Sequence, residues 1–106
     1  VSICAVIYVF QFLFVLEYKE MLPYIAEFLG SLLFFGTIAF SGNVVYVIAA
    51  FAVVQGLIGK ISGGHINPAV SLWAWGAGKI PTATLGMYVA AQVGAALTVV
   101  MLQSVA

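Results

Sequence analysis

Three apolar stretches, over residues 22–40, 44–59 and 82–105, each approach the roughly 20 residues that a helix needs to cross a bilayer. That pattern leaves few folds open, and the charges narrow them further. The chain carries 3 Lys+Arg and 3 Asp+Glu among 106 residues, or 6% charged, against roughly 25% in an ordinary soluble domain. A water-soluble protein of this size needs a charged outer shell, which so few groups cannot provide. With 65% hydrophobic residues, the solvent expected for most of this surface is lipid. The expected fold class is an all-α membrane protein with the bilayer as its partner. A net charge of zero removes the basic surface that nucleic acid requires. The lone cysteine, Cys4, excludes an internal disulfide or a cysteine-based metal cluster.

Breakers divide the chain into segments. Residues 1–20 form an apolar N-terminal stretch followed by a polar boundary, Glu17-Tyr18-Lys19-Glu20. Residues 1–16 span about 24 Å as a helix, short of the hydrocarbon core. They are either the tail of a spanning helix cut at position 1 or a helix lying at the interface. They lack the basic leader and small-residue cleavage site of a signal peptide. Val1 in place of Met suggests a fragment or a processed product.

Pro23 suits the first turn of a helix, where its missing N–H has no partner to lose, so the first long helix is expected over 22–40. Ser41-Gly42-Asn43 ends it, and the second is expected over 44–59. Residues 60–77 are different. Asn67-Pro68 pairs an N-cap with proline at the first helical position, yet the helix that follows is only about two turns long. The third long helix is expected over 82–105.

The lysines give the topology. Lys19 and Lys60 fall on one side if the first two long helices both span. Lys79 joins them only if the segment 60–77 enters the membrane and returns. The positive-inside rule then makes the lysine side cytoplasmic.

A half-helix inside a membrane has unpaired N–H groups, which lipid cannot satisfy, so it must line a wet cavity or be buried in protein. Its N-terminal end carries roughly half a positive charge, which repels cations and offers donors to a neutral solute. The amide of Asn67 adds donors, and the extended loop before it presents backbone carbonyls as acceptors. Glu27 stands alone in an apolar helix, where an ionisable group needs partners, and the loop has spare N–H groups to supply them. Its alternative is to reach headgroup water near the helix end. His65, without a nearby Asp, Cys or second His, does not make a metal site; a hydrogen bond that fixes the loop is its expected use. No cofactor is called for. Trp73 and Trp75 are expected to anchor at the interface. Gly86, Ala90 and Gly94, and likewise Ala26 and Gly30, form small-residue faces for close helix packing.

The run Ser62-Gly63-Gly64-His65-Ile66-Asn67-Pro68-Ala69-Val70-Ser71 resembles the first signature of the aquaporins and aquaglyceroporins. Ala26-Glu27-Phe28-Leu29-Gly30 resembles the start of that family's first helix, with Glu27 40 positions before Asn67. Tyr88, Ala91-Gln92 and Gly94-Ala95 resemble its third helix, with Gln92 25 positions after Asn67. The resemblance covers roughly residues 22–106. It implies the first of two inverted repeats, built from three transmembrane helices and one re-entrant half-helix, with a homotetramer at full length.

The resemblance further implies that Asn67 orients the solute, while Pro68 and Ala69 start the half-helix. Gly64, His65 and Ile66 would supply pore-facing carbonyls, and Glu27 and Gln92 would hold the loop from behind. Where the family's constriction usually draws a bulky aromatic or His, 20 positions before Asn67, this chain has Val47, implying a wider filter. The chain holds no Arg, so the family's filter arginine and the second repeat are expected to lie outside it.

The expected function is a passive channel for water and small neutral solutes such as glycerol or urea. The alternatives are a truncated, non-conducting member that acts as an assembly or regulatory subunit, and a secondary transporter. A transporter would want a pair of intramembrane ionisable groups, and only Glu27 is available. No paired carboxylates suggest an enzyme.

Overall fold

The computed structural model describes residues 2–106, and every element in it is helical. Four helices follow one another: α1 (Ile3–Phe40), α2 (Val44–Ser62), α3 (Pro68–Gly76) and α4 (Thr82–Val105). Helices α1, α2 and α4 are long and apolar enough to cross a membrane; α3, with 9 residues, reaches only about 14 Å.

The first helix departs from the expected start at residue 22. It begins at Ile3, capped by the Ser2 side chain accepting from the Ala5 N–H at 3.2 Å, and runs unbroken through Pro23. Proline inside a helix forfeits one hydrogen bond, here to the Lys19 carbonyl, and strains the preceding turn. No glycine or second proline flanks it, and Glu17-Tyr18-Lys19-Glu20 has no helix breaker. A single proline is therefore too weak a signal to end the element. Residues 2–21 are exposed along this extension, and the whole of α1 is about 57 Å long at 1.5 Å per residue, nearly twice the hydrocarbon core.

The second helix starts on the Asn43 cap, whose side-chain oxygen accepts from the Val45 N–H at 2.9 Å. It continues past the expected end at residue 59 to Ser62 and closes on Gly63 at φ +90°, a left-handed conformation that glycine adopts without penalty.

Helix α1 lies between α2 and α4 and packs on both, while α3 packs on α4. The core joins Ala26 of α1, Val54 and Ile58 of α2, and Ile66 of the loop. Gly30 permits this approach. A Cβ there would sit 2.7 Å from Ile58 Cδ1 and 2.9 Å from Val54 Cγ1, inside van der Waals contact. The Ala26 and Gly30 face is thus used within the chain. On α4 the buried face is Tyr88, Gln92, Ala95 and Val99; Gly94 approaches the Phe28 ring, but Gly86 and Ala90 are exposed.

Candidate functional site

The loop from Gly63 to Asn67 folds around one carboxylate. Glu27 projects from α1 with no exposed surface, and both of its oxygens accept hydrogen bonds. Oε1 takes the Ile66 N–H at 2.8 Å and the Gln92 amide at 3.0 Å. Oε2 takes the His65 N–H at 3.1 Å and the Ser62 hydroxyl. Four donors from α2, the loop and α4 thus converge on a single side chain. A buried carboxylate is tolerable when its lone pairs are filled in this way. The alternative of Glu27 reaching headgroup water does not fit its complete burial.

A second tier of bonds extends from this centre. The Gln92 Nε2 also donates to the Ser71 hydroxyl at 2.9 Å, which ties α4 to α3. His65 Nδ1 lies 2.9 Å from the same Ser71 oxygen, and its ring meets Tyr88 edge-on at 5.0 Å. Because Ser71 already accepts from Gln92, its one proton suits an acceptor Nδ1 on His65. The Tyr88 hydroxyl donates to the Ser62 carbonyl at 2.8 Å, and the Gly64 N–H donates to the Ser62 hydroxyl oxygen at 3.2 Å. Two buried polar atoms, Ser31 Oγ and Gln92 Oε1, have no partner among the described residues.

The backbone bends sharply to make this possible. Gly63, Gly64 and Ile66 all take positive φ, at +90°, +62° and +43°. For a β-branched residue such as Ile66 that conformation costs on the order of 1–3 kcal/mol. It is held by the Glu27 bond on its N–H and by a side chain only 2% exposed in the core. Asn67 then returns to extended backbone at φ −151° and caps α3, with Oδ1 accepting the Ala69 N–H at 2.8 Å. Pro68 occupies the first position of that helix.

A recess of about 440 Å3 opens beside the loop. Gly63, Gly64, His65, Ile66, Asn67 and Val70 line one side, with Phe34, Phe51 and Gln55 opposite. The Asn67 side chain is exposed, and its amide nitrogen, not needed for capping, is free to meet a ligand. Gln55 escaped the sequence reading. Its Nε2 donates to the Gly64 carbonyl at 2.6 Å, so that carbonyl is already partnered within the chain. The available signal was a lone amide in an apolar stretch, 44–59, that carries no charge, two turns after Val47. Val47 itself is half-buried and does not line the recess; it lies one turn before Phe51 on α2.

Trp73 and Trp75 are both exposed on α3 and do not line the recess. Lys79 sits 5.1 Å over the Trp73 ring, and Trp75 Nε1 donates to Thr82 at 3.0 Å. These contacts close the connection between α3 and α4.

No solved structure matches the chain at a significant level. Residues 15–106 match the family model described as the major intrinsic protein, so a match of this extent and three membrane-length helices place the chain in the major intrinsic protein family, whose members are membrane channels.

Proposed function

We propose that this chain forms one wall of a passive path for water and small uncharged solutes, with α3 as a re-entrant half-helix that ends its loop inside the membrane. The observation that carries this reading is the four-donor clamp on Glu27. It fixes the loop so that the Asn67 amide and the N-terminal end of α3 face the recess. The partial positive charge at that helix end, roughly half an elementary charge, opposes cations, while the amide offers donors to a neutral solute. His65 and Ile66 contribute acceptor carbonyls on the same side, and Pro68 and Ala69 start the half-helix. Opposite, the Phe34 and Phe51 rings, 5.6 Å apart and edge-on, give an apolar wall that does not hold the solute.

In this arrangement Lys19, Lys60 and Lys79 share the cytoplasmic side. The half-helix would meet its counterpart from a second, inverted repeat, and the exposed Gly86 and Ala90 of α4 suit close packing against another helix in a full-length tetramer. Val47, outside the recess lining, would leave a separate constriction further along α2 wide enough for glycerol or urea as well as water.

The test is stopped-flow light scattering on vesicles reconstituted with the full-length protein. Water permeability above that of empty vesicles, without proton leak, is the expected result. Vesicles with inserted protein and no gain in permeability overturn the channel reading. Vesicles permeable to water but tight to glycerol and urea overturn only the wide filter.

A further inference from the structure

Gln55 is the one polar side chain that α2 contributes to the recess, between the aromatic wall of Phe34 and Phe51 and the loop. It projects from the same face of α2 as Val47 and Phe51, at four-residue steps. Its only hydrogen bond among the described residues is the donation from Nε2 to the Gly64 carbonyl. A carbonyl can only accept, so the orientation of the amide is set by its partner. The second N–H is then left for whatever enters the recess, while Oε1 lies against Gly64 where a Cβ would clash with it. Gly64 is shaped for this contact: a Cβ there would sit 2.9 Å from Gln55 Cδ, and its φ of +62° disfavours any side chain. The amide therefore lies directly against the loop backbone and narrows the space beside it.

We propose that Gln55 is a specificity-determining residue of the solute path, a polar constriction that takes over the acceptor position of the Gly64 carbonyl. The proposal rests on the channel reading above. The backbone acceptor is replaced by a side-chain amide whose remaining N–H is a donor. Water can exchange hydrogen bonds with such a group at little steric cost. A three-carbon polyol, which must bring its CH groups past the same point, needs width that the Gln55 side chain occupies. Gln55 thus favours water over glycerol and opposes the widening at Val47.

The test compares water and glycerol permeabilities of vesicles containing the full-length protein with its Gln55→Ala and Gln55→Leu variants, at matched protein content. Gln55→Ala opens the space and frees the Gly64 carbonyl, so the glycerol-to-water ratio is expected to rise about fivefold, the scale of one hydrogen bond gained by the larger solute. Gln55→Leu keeps the bulk but loses the amide, so water permeability is expected to fall with no rise in the ratio. A Gln55 that merely braced the loop would change both permeabilities together. An unchanged ratio in Gln55→Ala, with the wild type conducting, overturns the proposal alone. A wild type that conducts neither solute overturns the channel reading, and this proposal with it.

Discussion

Replacing Glu27 with glutamine changes almost nothing in shape and removes half of what the loop depends on. The carboxylate accepts four hydrogen bonds, two on each oxygen. A glutamine offers one oxygen with two lone pairs, and its NH2 group must face the two remaining donors. With nitrogen in the Oε2 position, the Ser62 hydroxyl turns to accept from it and donates to the Ile58 carbonyl at 3.4 Å, so the His65 N–H alone loses its acceptor; with nitrogen at Oε1, the Ile66 N–H and Gln92 both do, so the first orientation is favoured. Losing one hydrogen bond to a charged group costs about 1.5–3 kcal/mol. Relief from burying a charge offsets part of that, leaving an expected net loss of about 1–2 kcal/mol. Against the roughly 5–15 kcal/mol that stabilises a typical domain, this is a large fraction. Unfolding in detergent, followed by Trp73 and Trp75 fluorescence, measures the loss. Hydrogen exchange at the His65 amide locates it, because that proton should exchange faster while the Ile66 amide and the middle of α4 stay protected. A Glu27→Gln protein within about 0.5 kcal/mol of wild type, the range of an ordinary surface change, with the His65 amide still protected, would refute the clamp.

Other substitutions separate packing, capping and solute contact. Gly30→Ala should destabilise by about 1–3 kcal/mol through overpacking, read as a lower unfolding midpoint, since its Cβ would meet Ile58 and Val54 below 3 Å. Gly86→Ala, where nothing lies within 4 Å, should leave the midpoint of the isolated chain unchanged or raised. Asn67→Ser keeps an N-cap for α3 and should cost less than about 0.5 kcal/mol, yet it removes the amide donors and should lower water permeability of the full-length protein. Asn67→Ala should lose about 1 kcal/mol as well, so a permeability loss confined to Asn67→Ala would assign Asn67 to capping alone.

Much of this arrangement was legible because membrane residence makes polar groups conspicuous. Glu27 and Gln92 stood out as isolated polar side chains in apolar helices; Glu27 takes the loop's N–H groups, and Gln92 ties Glu27 to Ser71 of α3. Asn67-Pro68 marked the start of α3 because capping is a local event, encoded within a few residues. The start of α1 was not legible in the same way. Pro23 fits the first turn of a helix and the inside of a long one, and the sequence alone does not distinguish losing no hydrogen bond from losing one. The end of α2 was expected three residues too early for a related reason. Lys60 and Ile61 are ordinary helix formers, and only Gly63, in its left-handed conformation, stops the element. Gln55 was missed because its role depends on the distance across the recess to a carbonyl nine residues on, which spacing along the chain does not reveal. Ser62 and Ser71, read as parts of a motif, act as hydroxyl bridges between elements that only the packed structure brings together.

The most direct test of the account asks whether the surface of α3 that faces the recess lies in the solute path. In a Cys4→Ser background of the full-length protein, Val70→Cys places a thiol in the recess, and Leu72→Cys places one on an exposed part of α3 that does not line it. Water permeability is measured before and after a small membrane-impermeant thiol reagent, with the extent of labelling quantified by mass. Labelling at Val70→Cys is expected to block water flow, while Leu72→Cys conducts as before. Complete labelling of Val70→Cys with undiminished flow would contradict it.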